Sequence, residues 1–174
     1  MNSYLRNRIN ELAQDVIKAY EITIPIDNIN SVVEKIGGKV VSSNSLDVFC
    51  DGSIKKENDS FSIIIPEYTS NKERYHFTVA HELGHLFLHM GYQIDKDLWN
   101  SSDGAIFNRY GNSEEEFEAN EFAAAFLMPK DEYIKVAEKN LNGDSVDIRK
   151  VADYFKVSVD AASYRGKWLG YLQW

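Results

Sequence analysis

Apolar positions recur at helical spacing over Ser3 to Tyr20, where Leu5, Ile9, Leu12, Val16 and Ala19 form one stripe and predict a first helix. Pro25 restricts Ile24 to extended backbone and suits the first turn of a second helix, which runs to about Lys35 and stops at Gly37-Gly38. Lys39 to Ser42 reads as a short strand. Ser43 to Asp59 is polar and reads as loops around one weak strand, Leu46 to Cys50. Phe61 to Ile65 is a β-branched run closed by Pro66, the pattern of a buried strand. Glu67 to Lys72 is a connection, and Glu73 to Met90 predicts a long helix ended by Gly91. Tyr92 to Asn112, with its turn residues and scattered aromatics, reads as an irregular loop. Helices are expected at Ser113 to Met128, stopped by Pro129, and at Lys130 to Asn140, closed by the Asn142-Gly143 turn. A last helical pair spans Ile148 to Phe155 and Val159 to Leu169. The order is mostly helical with a small early sheet, which predicts an α+β fold.

Composition narrows this picture. The chain has 174 residues, 44% of them apolar, enough for a real core and too many for a disordered chain. No repeat or interdomain linker interrupts it, so a single domain over residues 1–174 is expected. Its segments would be N-terminal helices and the start of the sheet (1–60), a central part (61–129) and a C-terminal helical portion (130–174). A single cysteine, Cys50, rules out an intramolecular disulfide framework. The longest apolar run, Phe122 to Met128, is too short to span a bilayer, and Met1 to Asn10 lacks an apolar signal core. A cytoplasmic protein is expected. The net charge of −8 argues against a surface built for nucleic acid.

The chemistry concentrates in one place. All four histidines, His76, His81, His85 and His89, fall within one predicted helix, and His81-Glu82-Leu83-Gly84-His85 is an HExxH motif. Residues four apart share a helix face, so His81 and His85 can reach one metal ion, with Glu82 beside them to polarise a water. The helix is apolar over much of its circumference through Phe77, Val79, Ala80, Leu83, Leu86, Phe87 and Leu88. It is therefore buried, and its imidazoles need partners.

Zinc sites of this type take a third protein ligand from a later segment. The stretch Glu114, Glu115, Glu116, Glu118, Glu121 offers candidates, although Ser113 with Glu116 also reads as a capping box. Glu116 and Asn120 share a helix face, so Glu116 suits the metal while the Asn120 amide oxygen holds a ligating histidine. Glu118 points about 160° further round and stays as the alternative ligand. His89 lies about 12 Å along the axis from His81 and cannot join the same ligand set, so a structural role is expected for it. Zn2+ suits the donors, as do Mn2+ and Fe2+.

Two blocks of sequence resemble the ImmA/IrrE family of metallopeptidases. They are Phe77-Thr78-Val79-Ala80-His81-Glu82-Leu83-Gly84-His85 with Leu88-His89, and Glu116-Phe117-Glu118-Ala119-Asn120-Glu121-Phe122-Ala123 leading to Leu127-Met128-Pro129. A looser likeness continues through Val151 to Ser158 and Arg165. The resemblance implies a zincin-like peptidase domain with zinc on His81, His85 and Glu116, and Glu82 as the catalytic glutamate. It also implies a protein substrate, a helix-turn-helix repressor encoded nearby in a mobile element, phage or stress locus, whose cleavage relieves repression. The peptidase blocks follow the N-terminus too closely for an added DNA-binding domain, so a stand-alone protease is expected.

Other residues carry weaker readings. Tyr75, Tyr110 and Arg165 have the chemistry to stabilise an oxyanion, and Phe61 to Ile65 is expected to offer an exposed edge for an extended substrate. Cys50 reads as a small buried residue, and Trp99, Trp168 and Trp174 as core or interface anchors. Ile148 to Leu169 resembles a helix-turn-helix, but Ser145 to Trp174 carries five basic and three acidic residues, a net of only +2. The competing classes are therefore a DNA-binding regulator and a non-catalytic, metal-containing partner-binding protein.

Overall fold

The computed structural model describes residues 1–44, 52–67, 69, 71–102, 106–108 and 113–173. The expected strand Leu46 to Cys50, Cys50 itself, Tyr110 and Trp174 lie outside the described residues. Helix α1 spans Ser3–Ala19, with the Asn2 side chain accepting from the Leu5 N–H at 2.8 Å to cap its first turn. Helix α2 is Ile29–Ile36 and starts later than Pro25 predicts, because Asn28 caps it by accepting from the N–H groups of Asn30 and Ser31. It ends at Gly37, whose φ of 113° places it in the left-handed region.

Strands β1 (Lys39–Ser43), β2 (Ser53–Glu57), β3 (Ser60–Pro66) and β4 (Ile106–Asn108) form a sheet in the order β1-β3-β2-β4. β1 runs parallel to β3, while β2 is antiparallel to both β3 and β4. This corrects two expectations. β2 occupies sequence read as loop, because Ser53 to Glu57 has little apolar alternation and is held by pairing on both sides. Phe61 to Ile65 is no edge: it is flanked by β1 and β2, with Phe61, Ile63 and Ile65 buried. Its backbone groups are already committed and cannot take a substrate strand.

Helix α3 is Lys72–Leu88, with Asn71 accepting from the Arg74 N–H at its start. The segment after it, expected to be irregular, contains α4 (Lys96–Ser101) as well as β4. Asp95 caps α4, and Trp99 turns inward onto Tyr92, with ring centroids 5.0 Å apart. Helices α5 (Glu114–Leu127) and α6 (Lys130–Lys139) follow, then a small hairpin, β5 (Leu141–Asn142) and β6 (Ser145–Val146), turning at Gly143. Helices α7 (Ile148–Phe155) and α8 (Val159–Trp168) complete the order. The α+β expectation holds. No helix among the described residues is long and apolar enough to cross a membrane.

The core joins the sheet to α3 and α5 through Ile54, Phe61, Ile63, Leu83, Leu86, Phe122 and Phe126. Helices α3 and α5 meet where Gly84 faces Ala119. A Cβ on Gly84 would come 2.9 Å from Ala119 Cα and 3.0 Å from Ala119 O, so only glycine permits this approach. Gly84→Val is expected to lose about 1–3 kcal/mol of stability by overpacking. Because α5 carries Glu116, the same change is expected to weaken metal binding. Urea denaturation together with metal titration checks both effects.

Candidate metal centre

The i and i+4 positions of α3 put His81 and His85 side by side, both buried, with Nε2 atoms 3.1 Å apart. The close α3–α5 crossing brings Glu116 to them. Glu116 Oε1 lies 3.1 Å from His85 Nε2, and Oε2 lies 3.3 Å from His81 Nε2. Ser113 caps α5 by accepting from the Glu116 N–H at 3.3 Å, so the residue whose carboxylate meets the histidines also takes part in the helix cap through its backbone. Among the described residues, His81, His85 and Glu116 form a group whose ligand atoms lie within 4.8 Å of one another.

These donors fit a tetrahedral ion. Zn–N and Zn–O bonds of about 2.0–2.1 Å put neighbouring ligand atoms roughly 3.3 Å apart, close to the separations found. The far nitrogen of each imidazole is engaged elsewhere. His81 Nδ1 lies 3.0 Å from Asn120 Oδ1, where it donates to the amide oxygen. His85 Nδ1 lies 3.0 Å from His89 Nδ1. Burial, and then the neighbouring His81 and His89, push His85 down to about 3, against the pull of Glu116. The ring is therefore neutral at ordinary pH, the state a metal ligand needs.

Glu82, next in sequence to His81, is 1% exposed. The chain entering β2 passes directly over it: a Cβ on Gly52 would come 2.8 Å from Thr78 Cγ2 and 3.1 Å from Glu82 Oε1. Glu118, the alternative third ligand, instead places Oε2 3.1 Å from His89 Nε2. In the sequence, His89 and Glu118 carry no motif that joins them. Their common signal was spacing alone, with His89 four residues after His85 and Glu118 two after Glu116.

The oxyanion candidates separate as well. The Tyr75 hydroxyl donates to Asn30 Oδ1 at 2.8 Å. Arg165 is buried away from the histidines, donating to Met128 O, Glu121 Oε1 and Asn10 Oδ1 at 3.1, 3.2 and 2.7 Å. Trp168 is partly exposed, with the Arg6 guanidinium 3.4 Å from its ring centroid. The helix-turn-helix resemblance does take the form of α7, a turn at Lys156 and α8. Three of its five cations, however, pair within the chain. Arg165 is in the buried network, Lys156 lies 2.5 Å from Asp27, and Lys150 lies 3.4 Å from Asp147.

His76 stands apart from the metal group, buried, with no hydrogen-bond partner at Nδ1 among the described residues. Burial chiefly holds its pKa below the usual value. Lys156 adds to this and Asp27 opposes it. The unfolded chain therefore takes up a proton at higher pH than the folded one. The resulting stability is complete above the unfolded histidine value of about 6.5 and is lost as pH falls through the lower folded value. Replacing the ring by an apolar side chain in His76→Leu is expected to flatten that acid-side loss, read as urea midpoints from pH 7 to pH 5 against the wild type.

A peptidase family described as the IrrE N-terminal-like domain matches residues 51–167. No curated protein matches the sequence. A solved structure titled a Mycobacterium tuberculosis transcriptional regulator superposes with a TM-score of 0.60 at 16% identity, covering 91% of this chain and 46% of that one. At that identity the likeness is one of fold, and this chain spans less than half the length of that protein.

Proposed function

The chain belongs to the IrrE N-terminal-like peptidase family, and from that premise we propose that it is a zinc-dependent metallo-endopeptidase that cleaves a helix-turn-helix repressor encoded nearby. The observation that carries the reading is the convergence of His81, His85 and Glu116 on one point, with the buried Glu82 next in sequence to His81. Residues 1–174 act as one catalytic unit in this reading, since α1, outside the matched region, ties to α5 through Asn10 and Arg6 on Glu121.

His81, His85 and Glu116 would hold the ion, with Asn120 orienting the His81 ring through its contact with Nδ1. When bound, the ion supplies Lewis acidity that activates a water and polarises the scissile carbonyl. Glu82 accepts the proton of the attacking water and delivers it to the leaving amide nitrogen. Its burial keeps bulk water from competing for that proton, and the close cover at Gly52 limits its movement. The repressor as substrate is supported by the resemblance of the two motif blocks and by the regulator whose fold this chain shares.

Metal content per chain, measured by elemental mass spectrometry after zinc reconstitution, tests the reading. About one zinc per chain is expected, with binding weakened in Glu116→Gln because a neutral amide is a poorer ligand. Repressors encoded beside the gene are then incubated with the loaded protein and examined for cleavage. A native chain that retains no metal overturns the proposal, and metal retained without cleavage of any partner favours the metal-containing partner-binding reading.

A further inference from the structure

His85 does not end at a solvent shell. Its Nδ1 lies 3.0 Å from His89 Nδ1, and His89 Nε2 lies 3.1 Å from Glu118 Oε2. Building on the metal site proposed above, we propose that His89 and Glu118 form a positioning relay that sets the tautomer and direction of His85, and through it the metal affinity of the centre.

Where the Glu118 carboxylate is ionised it only accepts hydrogen bonds, so the 3.1 Å contact has His89 donating from Nε2. With His89 in its neutral form, the single N–H is used on Glu118 and a lone pair stays on Nδ1, 3.0 Å from His85 Nδ1. That lone pair can accept only if His85 carries its own proton on Nδ1. His85 Nε2 is then left with its lone pair, and this is the atom that faces Glu116 Oε1 at 3.1 Å and His81 Nε2 at 3.1 Å. The reverse tautomer of His85 would set two lone pairs against each other at Nδ1 and put a proton where the ion belongs. Glu118 therefore fixes the polarity of two rings in series.

Both ligating histidines are supported from α5, by different means. Asn120 holds His81 directly. Glu118 lies on another side of the helix, and His89, one turn beyond His85, bridges the gap. The side chains of His89 and Glu118 are 11% and 22% exposed, so the pair sits at the rim of the site.

Zinc dissociation constants, measured by competition with a chromophoric chelator, test the relay in the wild type, His89→Leu, His89→Gln and Glu118→Ala. His89→Leu is expected to weaken zinc by about 10–100-fold, the effect of losing an outer partner of a ligating histidine. His89→Gln is expected to recover most of that loss, since its amide oxygen can accept from His85 Nδ1–H while its NH2 group faces Glu118. Glu118→Ala, on the helix surface, keeps the test available should His89→Leu fold poorly, and it is expected to weaken zinc in the same direction.

A readout without metal accompanies these. Nitrogen-15 NMR of the metal-free protein is expected to show His85 protonated at Nδ1, with that preference lost in His89→Leu. Equal zinc affinity in the wild type, His89→Leu and Glu118→Ala overturns the relay and leaves the metal site standing. A proton on His85 Nε2 in the metal-free wild type also overturns it. A wild type that does not bind zinc removes the metal-site reading, and the relay falls with it.

Discussion

Glu82→Gln is expected to bind metal as the wild type does and to lose cleavage by about 10²–10⁴-fold, the usual contribution of a positioned general base. The substitution is close to isosteric, and the ligand atoms belong to His81, His85 and Glu116. What disappears is the carboxylate's capacity to take a proton from water. Because Glu82 is 1% exposed, bulk solvent is poorly placed to substitute for it. The measurement is repressor cleavage by gel and mass spectrometry, beside metal content on the same preparation. Cleavage at the wild-type rate would sink the assignment of Glu82. Loss of metal would mean that Glu82 is needed to build the centre.

The second large effect lies away from the chemistry, in the buried network around Glu121. Arg165 is 3% exposed and donates to Glu121, Asn10 and Met128, while Arg6 reaches Glu121 from α1 at 3.1 Å. Burial pushes the Arg165 guanidinium down to about 10, with Glu121 holding it up, so it stays charged at neutral pH. Removing one partner of a buried ion pair costs about 3–5 kcal/mol, because the other charge is left in a poor solvent. Arg165→Ala is expected at the low end, about 3 kcal/mol, since Arg6 and Asn10 still hold Glu121. Chemical denaturation measures it, and the double variant Arg165→Met with Glu121→Leu is expected to recover much of the loss. An unchanged midpoint in Arg165→Ala would show that the network ties α1, α5 and α8 together without stabilising them.

The helices were legible because their signals are local. Leu5, Ile9 and Val16 mark α1 by period alone, and Asn2, Asn71 and Ser113 cap helices whose starts can be read in the chain. Strands were harder. Ser53 to Glu57 carries no strong pattern of its own and becomes β2 through pairing with β3 and β4. The same pairing overturns the expectation of a free edge at Phe61 to Ile65. Strand identity depends on partners distant in the chain, which a local window does not contain.

The candidate site divides along the same line. His81, Glu82 and His85 could be grouped from sequence because a helix places residues four apart on one face, whatever surrounds it. For the third position the sequence favoured Glu116, through its shared face with Asn120, and kept Glu118 as the alternative. Glu116 and Glu118 carry the same chemical group two residues apart, and the α3–α5 approach at Gly84 and Ala119 puts one at the histidines and the other at His89. The link between Arg165 and Glu121, 44 residues apart, was likewise invisible beforehand. Sequence alone thus determined the helices and the motif that one helix displays, because both rest on interactions within a turn or two. Only the packing of one helix on another decided which carboxylate meets which imidazole, because that depends on distances no local rule specifies.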